Sequence, residues 1–146
     1  RHEDLARLDY AAAHKAISRG ARAIEKVTGV EPRLLRPPYG HLAGSTLLAA
    51  ADLGYEVVLW NRQMLESRYP DDPAGLAEYI VDSCEPGTVL LAHDTGPSER
   101  MVAIRGLPAM IKGLRARGFE FVTVSELIQE EASLHISDAE VRLVGG

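Results

Sequence analysis

Arg36-Pro37-Pro38-Tyr39-Gly40 and Leu90-Leu91-Ala92-His93-Asp94 are the two stretches of this chain that decide its fold. Each follows a short run of strand-forming residues and enters a loop that contains proline or glycine. A third strand-like run, at 55–59, leads directly into Trp60, the only tryptophan. In a fold of alternating strands and helices, residues after the carboxyl ends of parallel strands build the active site. We therefore expect the arginine, the tryptophan and the histidine of these stretches to meet at one edge of a parallel sheet.

Helical patterns separate these strand-like runs. Apolar residues recur every three or four positions from Tyr10 to Val27, and Thr28-Gly29 ends this first helix. Four more helices are predicted, at 45–53, from Asp72-Pro73 to Pro86, from Pro108 to Gly118, and from Ser125 onward. Four strands are predicted, at 33–35, 55–59, 88–91 and 119–124. This regular alternation predicts an α/β fold with parallel strands.

The composition bounds the function. The chain is 46% hydrophobic and 25% charged, which is enough apolar material for a sizeable core. Its 16 basic and 21 acidic residues give a net charge of −5 without a basic cluster, so no nucleic acid is expected as a partner. No apolar run approaches the roughly 20 residues that span a bilayer, so no transmembrane segment is expected. The single Cys84 excludes an internal disulfide and is expected in the core, at helical spacing from Leu76 and Ile80.

His93 is the strongest candidate for chemistry. It follows an apolar strand and precedes Thr95-Gly96-Pro97, and an imidazole titrates near neutral pH, which suits general acid or base catalysis. Composition alone favours a hydrogen-bonded histidine at the end of a strand, and the neighbouring motifs shift the interpretation toward catalysis. His14, His41 and His135 are separated from one another and show no metal-ligand spacing.

The arginine motif offers two more polar groups. Pro37-Pro38 fix the backbone after Arg36 in an extended path, where its guanidinium is suited to orienting a carboxylate. A surface salt bridge is the alternative for Arg36. Tyr39 and Gly40 then turn the chain, and a backbone N–H at such a turn is suited to stabilising an oxyanion.

The arginine and histidine motifs, in this order, resemble the third and fifth motifs of the polysaccharide deacetylases, the NodB-homology domain of carbohydrate esterase family 4. The segments at 24–30 and 118–127 also resemble that family. The resemblance covers residues 2–128. It implies a distorted (β/α) barrel with parallel strands, of which this chain supplies only the C-terminal part. The tail at 129–146 is expected to be either an added edge strand, around Val141–Val144, or disordered.

The resemblance also implies roles for individual residues. His93 corresponds to the general acid, Arg36 to the residue that holds the catalytic Asp, and the Tyr39 N–H to the oxyanion donor. Leu91 is implied in the pocket for the acetyl methyl group. His2, followed by Glu3-Asp4-Leu5, corresponds to the second of two histidines that hold a divalent metal, commonly zinc. The family's paired aspartates and its first metal histidine are expected upstream of Arg1.

The family's fourth motif, Asp-x-x-Asp-Trp, departs most in this chain. Trp60-Asn61-Arg62-Gln63-Met64-Leu65-Glu66-Ser67 stands in its region, and Trp60 is assigned to the substrate side of the cleft. Counting from Trp60, Glu66 takes the place of the Asp that tunes the catalytic histidine, and Ser67 takes the place of the motif's tryptophan. A Glu66 carboxylate is still able to accept an imidazole N–H.

The function implied by the resemblance is metal-dependent removal of acetyl groups from a polysaccharide such as peptidoglycan, chitin or xylan. The expected partners are an acetylated polysaccharide or oligosaccharide and the remaining N-terminal part of the same domain. The compartment is not readable from the chain, although the family resemblance favours a secreted or cell-surface protein. Two alternatives stay open at this point: a glycan-binding domain without catalysis, and a hydrolase of another amide or acyl substrate on the same scaffold.

Overall fold

The computed structural model describes residues 2–94, 96–97 and 100–131 of the chain. The chain divides into two compact units, the first ending at Leu59 and the second beginning at Trp60. Both units combine helices with a pair of parallel strands, which is the predicted mixture of helix and parallel sheet. Among the described residues, no helix has the length and apolar character needed to cross a membrane.

The first unit contains two helices and two short strands: α1 (Tyr10–Thr28), β1 (Leu34–Leu35), α2 (Gly44–Asp52) and β2 (Glu56–Val57). β1 and β2 pair in parallel, with Leu34 opposite Glu56. Helix α1 begins after Asp9, whose carboxylate accepts a hydrogen bond from the Ala12 N–H at 2.8 Å. It ends at Gly29, whose φ of +71° is the left-handed conformation predicted for a helix terminated by glycine.

The core of the first unit lies between α1 and α2, and its buried residues are Leu5, Ala13, Ile17, Ala49 and Ala50. Only the first half of the predicted apolar face of α1 belongs to this core. Ile24 is 50% exposed and Val27 is 85% exposed. The C-terminal half of this apolar face is therefore uncovered within this unit, because the described core residues reach α1 only at its N-terminal half.

The described residues of the second unit form three α-helices and two short strands: β3 (Arg62–Gln63), α3 (Pro73–Ser83), β4 (Leu90–Leu91), α4 (Met101–Ala116) and a last helix, α5 (124–131). β3 and β4 pair in parallel, with Arg62 opposite Leu90. Asp72 caps α3 by accepting the Gly75 N–H at 2.9 Å, as predicted.

The buried core joins α3 to α4 and consists of Met64, Leu76, Ala77, Ile80, Cys84, Val102, Ala103, Met110 and Leu114. Burial raises the pKa of the Cys84 thiol, in agreement with the predicted core position.

Helix α4 is longer than predicted. Pro108 lies inside it, although the sequence predicted that this proline would open the helix. A proline in a helix interior removes one backbone hydrogen bond and is unfavourable by itself. Packing against α3 offsets that cost, because Gly106 allows the helix to approach so closely that a Cβ there would lie 2.7 Å from the Pro73 carbonyl oxygen.

The end of the second unit also differs from the prediction. Residues 119–123 form no strand, and Phe121 is 53% exposed, because no described strand pairs with this segment. Thr123, and not Ser125, caps α5: its hydroxyl accepts the Glu126 N–H, and the Glu126 carboxylate accepts the Thr123 N–H at 2.7 Å. That hydrogen bond holds the pKa of Glu126 below its usual value. Helix α5 includes the first three residues of the predicted tail, and 132–146 lie outside the described residues.

Ile80 tests the packing of the second unit. It is fully buried between α3 and α4, so Ile80→Ala should lower the free energy of unfolding by about 2–5 kcal/mol. Ile104→Ala is the matched control. Ile104 on α4 is 40% exposed, so this substitution should lower the free energy of unfolding far less. Urea denaturation followed by circular dichroism measures both, and equal losses would contradict this core assignment.

Candidate active site

The predicted site residues fall into two groups that the chain builds separately. The first unit holds His2, Arg36 and Tyr39, and the second unit holds Trp60, Glu66, Leu91 and His93. The meeting of Arg36, Trp60 and His93 in one cleft stays a prediction. Each group has a geometry of its own.

The arginine motif forms a tight turn after β1. Pro37 is fully buried, and Pro38–Gly40 form a single 3₁₀ turn in which the Gly40 N–H donates to the Pro37 carbonyl at 3.0 Å. Tyr39 has φ +62° and ψ −3°, a left-handed conformation that is costly for a residue with a side chain. Such strain is maintained only where surrounding contacts support it.

His2 supplies one of those contacts. The rings of His2 and Tyr39 meet edge to face, with centroids 4.7 Å apart and an interplanar angle of 80°. The Tyr39 hydroxyl also donates a hydrogen bond to the His2 backbone carbonyl at 3.3 Å. The structure therefore brings together two residues that the sequence predicted for the site from separate motifs.

Arg36 lies beside this turn with its side chain exposed. It borders a groove of about 210 Å³ whose walls include Ile17, Leu34, Leu35 and Tyr55. Among the residues that the structure describes, the Arg36 guanidinium makes no ion pair or hydrogen bond. Its charge is therefore available to a carboxylate from outside the described chain.

A second cross-contact in the first unit was not predicted. The His41 Nδ1 lies 3.1 Å from the Asp4 Oδ2, and the other carboxylate oxygen of Asp4 accepts the Ala6 N–H at 3.2 Å. The hydrogen bond from His41 holds the pKa of Asp4 below its usual value. The sequence signal for Asp4 was its position before a short helical turn, where Asp commonly caps.

In the second unit, parallel pairing brings Glu66 to His93. Glu66 opens a 3₁₀ turn that follows β3, and His93 follows β4, so both lie beyond the carboxyl ends of the two paired strands. Leu65, with φ +43°, reverses the backbone just before Glu66. The Glu66 Oε1 is 3.7 Å from the His93 Nδ1. The sequence missed β3, which is the element that delivers Glu66.

The surroundings of this pair strengthen its electrostatic interaction. The Glu66 side chain is 16% exposed and the His93 side chain 38% exposed. The two facing atoms are buried and have no hydrogen-bond partner among the described residues. At 3.7 Å the two atoms are beyond hydrogen-bond range but close enough for a carboxylate to stabilise a protonated imidazole.

Trp60 and Leu91 flank the pair along the chain. Leu91 is the β4 residue opposite Gln63 on β3, and it is half-buried two positions before His93. Trp60 is half-buried and leads into Asn61, whose side chain bonds both the Val89 N–H, at 2.9 Å, and the Gly87 carbonyl. Asn61 thus ties the start of β3 to the start of β4, a structural role that the sequence did not reveal.

The described residues do not form a complete set of metal ligands. Within residues 2–94, 96–97 and 100–131, no group of three or more His, Cys, Asp or Glu side chains is arranged to hold a metal ion. His2 is the single ligand that the resemblance implies in this chain. The donor chemistry of an imidazole suits zinc, but the other ligands would have to come from outside the described residues.

Comparison with known proteins identifies similar domains. The family model of polysaccharide deacetylase matches residues 1–58. A peptidoglycan-N-acetylglucosamine deacetylase from Bacillus cereus is 32% identical over 101 residues, which cover 68% of this chain and 46% of that protein. The chain thus spans about half the length, or less, of the Bacillus cereus relatives that it matches.

Solved structures give the same likeness. The peptidoglycan deacetylase PdaC from Bacillus subtilis matches with a TM-score of 0.75 at 26% identity, covering 99% of this chain and 67% of that one. A CE4 family pseudoenzyme from Bacillus anthracis matches with a TM-score of 0.75 at 22% identity, covering 86% of this chain and 43% of that one. The second likeness is one of fold alone.

Zinc binding by the isolated 146-residue chain tests the metal assignment. With one expected ligand of three, the chain should bind zinc weakly or without a defined stoichiometry, because structural and catalytic zinc sites use three or four protein ligands. Isothermal titration calorimetry measures this directly. Tight one-to-one binding that persists in His2→Ala would contradict the assignment, since the site would then lie elsewhere in the chain.

Proposed function

Because this chain belongs to the polysaccharide deacetylase family, we propose that it forms the C-terminal portion of a metal-dependent carbohydrate deacetylase. The substrate is an N-acetylated or O-acetylated polysaccharide or oligosaccharide such as peptidoglycan, chitin or xylan. The observation that carries the proposal is the Glu66–His93 pair at the carboxyl edge of two parallel strands. The Bacillus cereus and Bacillus subtilis relatives, both named as peptidoglycan deacetylases, support it.

The proposed fold is a distorted (β/α) barrel to which residues 1–128 contribute the C-terminal portion. The exposed apolar surface along α1 supports this, because Ile24 and Val27 are suited to packing against another segment. So does Phe121, which is 53% exposed in a segment where no described strand pairs. The remaining strands of the barrel would come from the upstream part of the same domain.

His93 is proposed as the general acid that protonates the leaving amine or alcohol. Its position after β4 leaves the side chain partly exposed, so a substrate is able to reach it. The Glu66 carboxylate faces its Nδ1 and would hold the ring in position for proton transfer. Leu91, two residues earlier, would line the pocket for the acetyl methyl group.

The first unit would supply the groups that act on the acetyl carbonyl. The Tyr39 backbone N–H, which belongs to the left-handed turn, is proposed as the oxyanion donor. Arg36 would hold the catalytic Asp from the upstream segment through a charge-assisted hydrogen bond. Trp60, in the second unit, would provide an apolar wall for the sugar.

His2 is proposed as a ligand of a divalent metal, commonly zinc. Such a metal, when bound, polarises a carbonyl and lowers the pKa of a coordinated water. The ring contact with Tyr39 restrains the His2 side chain, so the ligand and the oxyanion donor would be held by the same contact. The catalytic base and the other metal ligands would lie upstream of Arg1.

Acetate release tests this proposal. A protein that carries this chain behind an upstream segment with the paired aspartates and the first histidine should release acetate from chitin oligomers, peptidoglycan or acetylated xylan. In that protein His93→Ala should lower kcat by about 10²–10⁴, with a much smaller change in KM, because proton transfer to the leaving group is lost.

His14→Ala is the control, because His14 lies on α1 beside Tyr10 and carries no proposed role. It should retain full activity. A fully active His93→Ala protein would overturn the assignment of the acid. Glycan binding without acetate release by the unsubstituted protein would favour the catalytically inactive alternative.

Glu66→Gln tests the acid's partner. The substitution keeps the shape of the side chain but removes the charge 3.7 Å from the His93 ring, so the ring should be held less firmly and kcat should fall by about tenfold with KM nearly unchanged. Glu66→Asp, which keeps the charge, should retain more of the kcat. A normal kcat in Glu66→Gln would show that Glu66 does not replace the family's aspartate.

A further inference from the structure

The turn at Tyr39 needs support from outside its own sequence. A tyrosine at φ +62° is strained, and the turn's own hydrogen bonds are ordinary: Gly40 N–H to the Pro37 carbonyl at 3.0 Å and His41 N–H to the Pro38 carbonyl at 3.4 Å. Rotation of the peptide before Tyr39 would relieve the strain and would also turn the Tyr39 N–H away from its present direction. Contacts between the turn and the rest of the unit therefore decide which conformation persists.

Asp4 and His41 form such a contact, 37 positions apart in sequence. The His41 Nδ1 lies 3.1 Å from the Asp4 Oδ2, immediately after the turn. The Asp4 side chain is 17% exposed, and its Oδ1 is held by the Ala6 N–H, so the carboxylate is fixed on its own segment. The His41 ring is 58% exposed, so Asp4 is the more buried partner of the contact.

The neighbouring contacts act at the same place. The backbone carbonyl of His2, two residues before Asp4, accepts a hydrogen bond from the Tyr39 hydroxyl, and the His2 ring packs against the Tyr39 ring. The Tyr39 and His41 rings are themselves 5.7 Å apart. The segment 2–4 and the turn 39–41 are thus joined by two hydrogen bonds and by ring packing, with the proposed metal ligand at one end.

We propose that Asp4 and His41 are a positioning pair, which holds the Tyr39 turn against the segment that carries His2 and thereby aims the Tyr39 N–H at the oxyanion. This inference rests on the proposed deacetylase function for its catalytic meaning. The contact between Asp4 and His41 lies within this chain, so it is tested separately from the deacetylase function.

Amide hydrogen exchange in the 146-residue chain tests the pair. His41→Ala should speed exchange at the Gly40 amide by about fivefold, because one link between the turn and its support is lost. His41→Asn should restore slow exchange, since its amide nitrogen is able to donate to Asp4 from nearly the same position as Nδ1.

Arg7→Ala is the matched control. The Arg7 Nε also lies 3.2 Å from the Asp4 Oδ2, but Arg7 belongs to the segment of Asp4 and makes no link to the turn. Its removal should leave Gly40 exchange unchanged. An unchanged rate in His41→Ala, or an equal increase in Arg7→Ala, would overturn the positioning pair whatever the activity of the enzyme.

Kinetics in the longer protein test the catalytic meaning. His41→Ala should lower kcat for acetate release by about tenfold with KM nearly unchanged, less than the loss expected from removing an oxyanion donor outright, and His41→Asn should recover most of it. Faster Gly40 exchange with a normal kcat would overturn the role of the pair in positioning. An inactive unsubstituted protein would refute the deacetylase function, while the exchange data would still decide whether the pair holds the turn.

Discussion

Parallel pairing of short strands is the constraint on which the candidate site depends. Two strands that run in the same direction present their carboxyl ends at the same edge of a sheet, so the residues that follow them become neighbours without being close in sequence. β3 and β4 bring Glu66 and His93 to 3.7 Å in this way. In the first unit β1 ends directly before Arg36 and the Tyr39 turn. The helices of each unit bury the apolar residues that keep these strands in place.

Backbone strain accompanies the chemistry in both units. Tyr39 and Leu65 have positive φ values, and each lies in or beside a turn that aims a proposed site group. Glycine would adopt either conformation at less cost, so the side chains must be maintained by their surroundings. For Tyr39 those surroundings are visible as contacts with His2, whereas for Leu65 the turn joins β3 to the buried core through Met64. Packing around these two residues thus maintains strained turns that position the proposed site groups.

Local chemistry made part of this structure predictable from sequence. The glycine that ends α1, the Asp72 cap and the inward positions of Leu76, Ile80 and Cys84 depend on near neighbours, and the structure agrees with each of them. Features that depend on tertiary contacts were missed. Pro108 is accepted inside α4 because α3 packs closely there, and residues 119–123 form no strand because no described strand pairs with them.

The site was predictable to the same degree. The motif resemblance named Glu66 and His93 as partners, but β3, the strand that delivers Glu66, left no clear pattern in Arg62-Gln63. A left-handed tyrosine and the contact between Asp4 and His41 were also not readable, because neither follows from residue type or spacing. Residue identities therefore indicate the chemistry, while the strand pairing and the strained turns determine its geometry.

The most direct test of this account is a zinc-loaded crystal structure of a protein in which this chain follows its upstream deacetylase segment. The account predicts a ring nitrogen of His2 at about 2.0–2.1 Å from the metal, with Arg36, Trp60 and His93 around the same cleft. A His2 ring turned into solvent far from the ion, or Arg36 and His93 at opposite ends of the sheet, would contradict it.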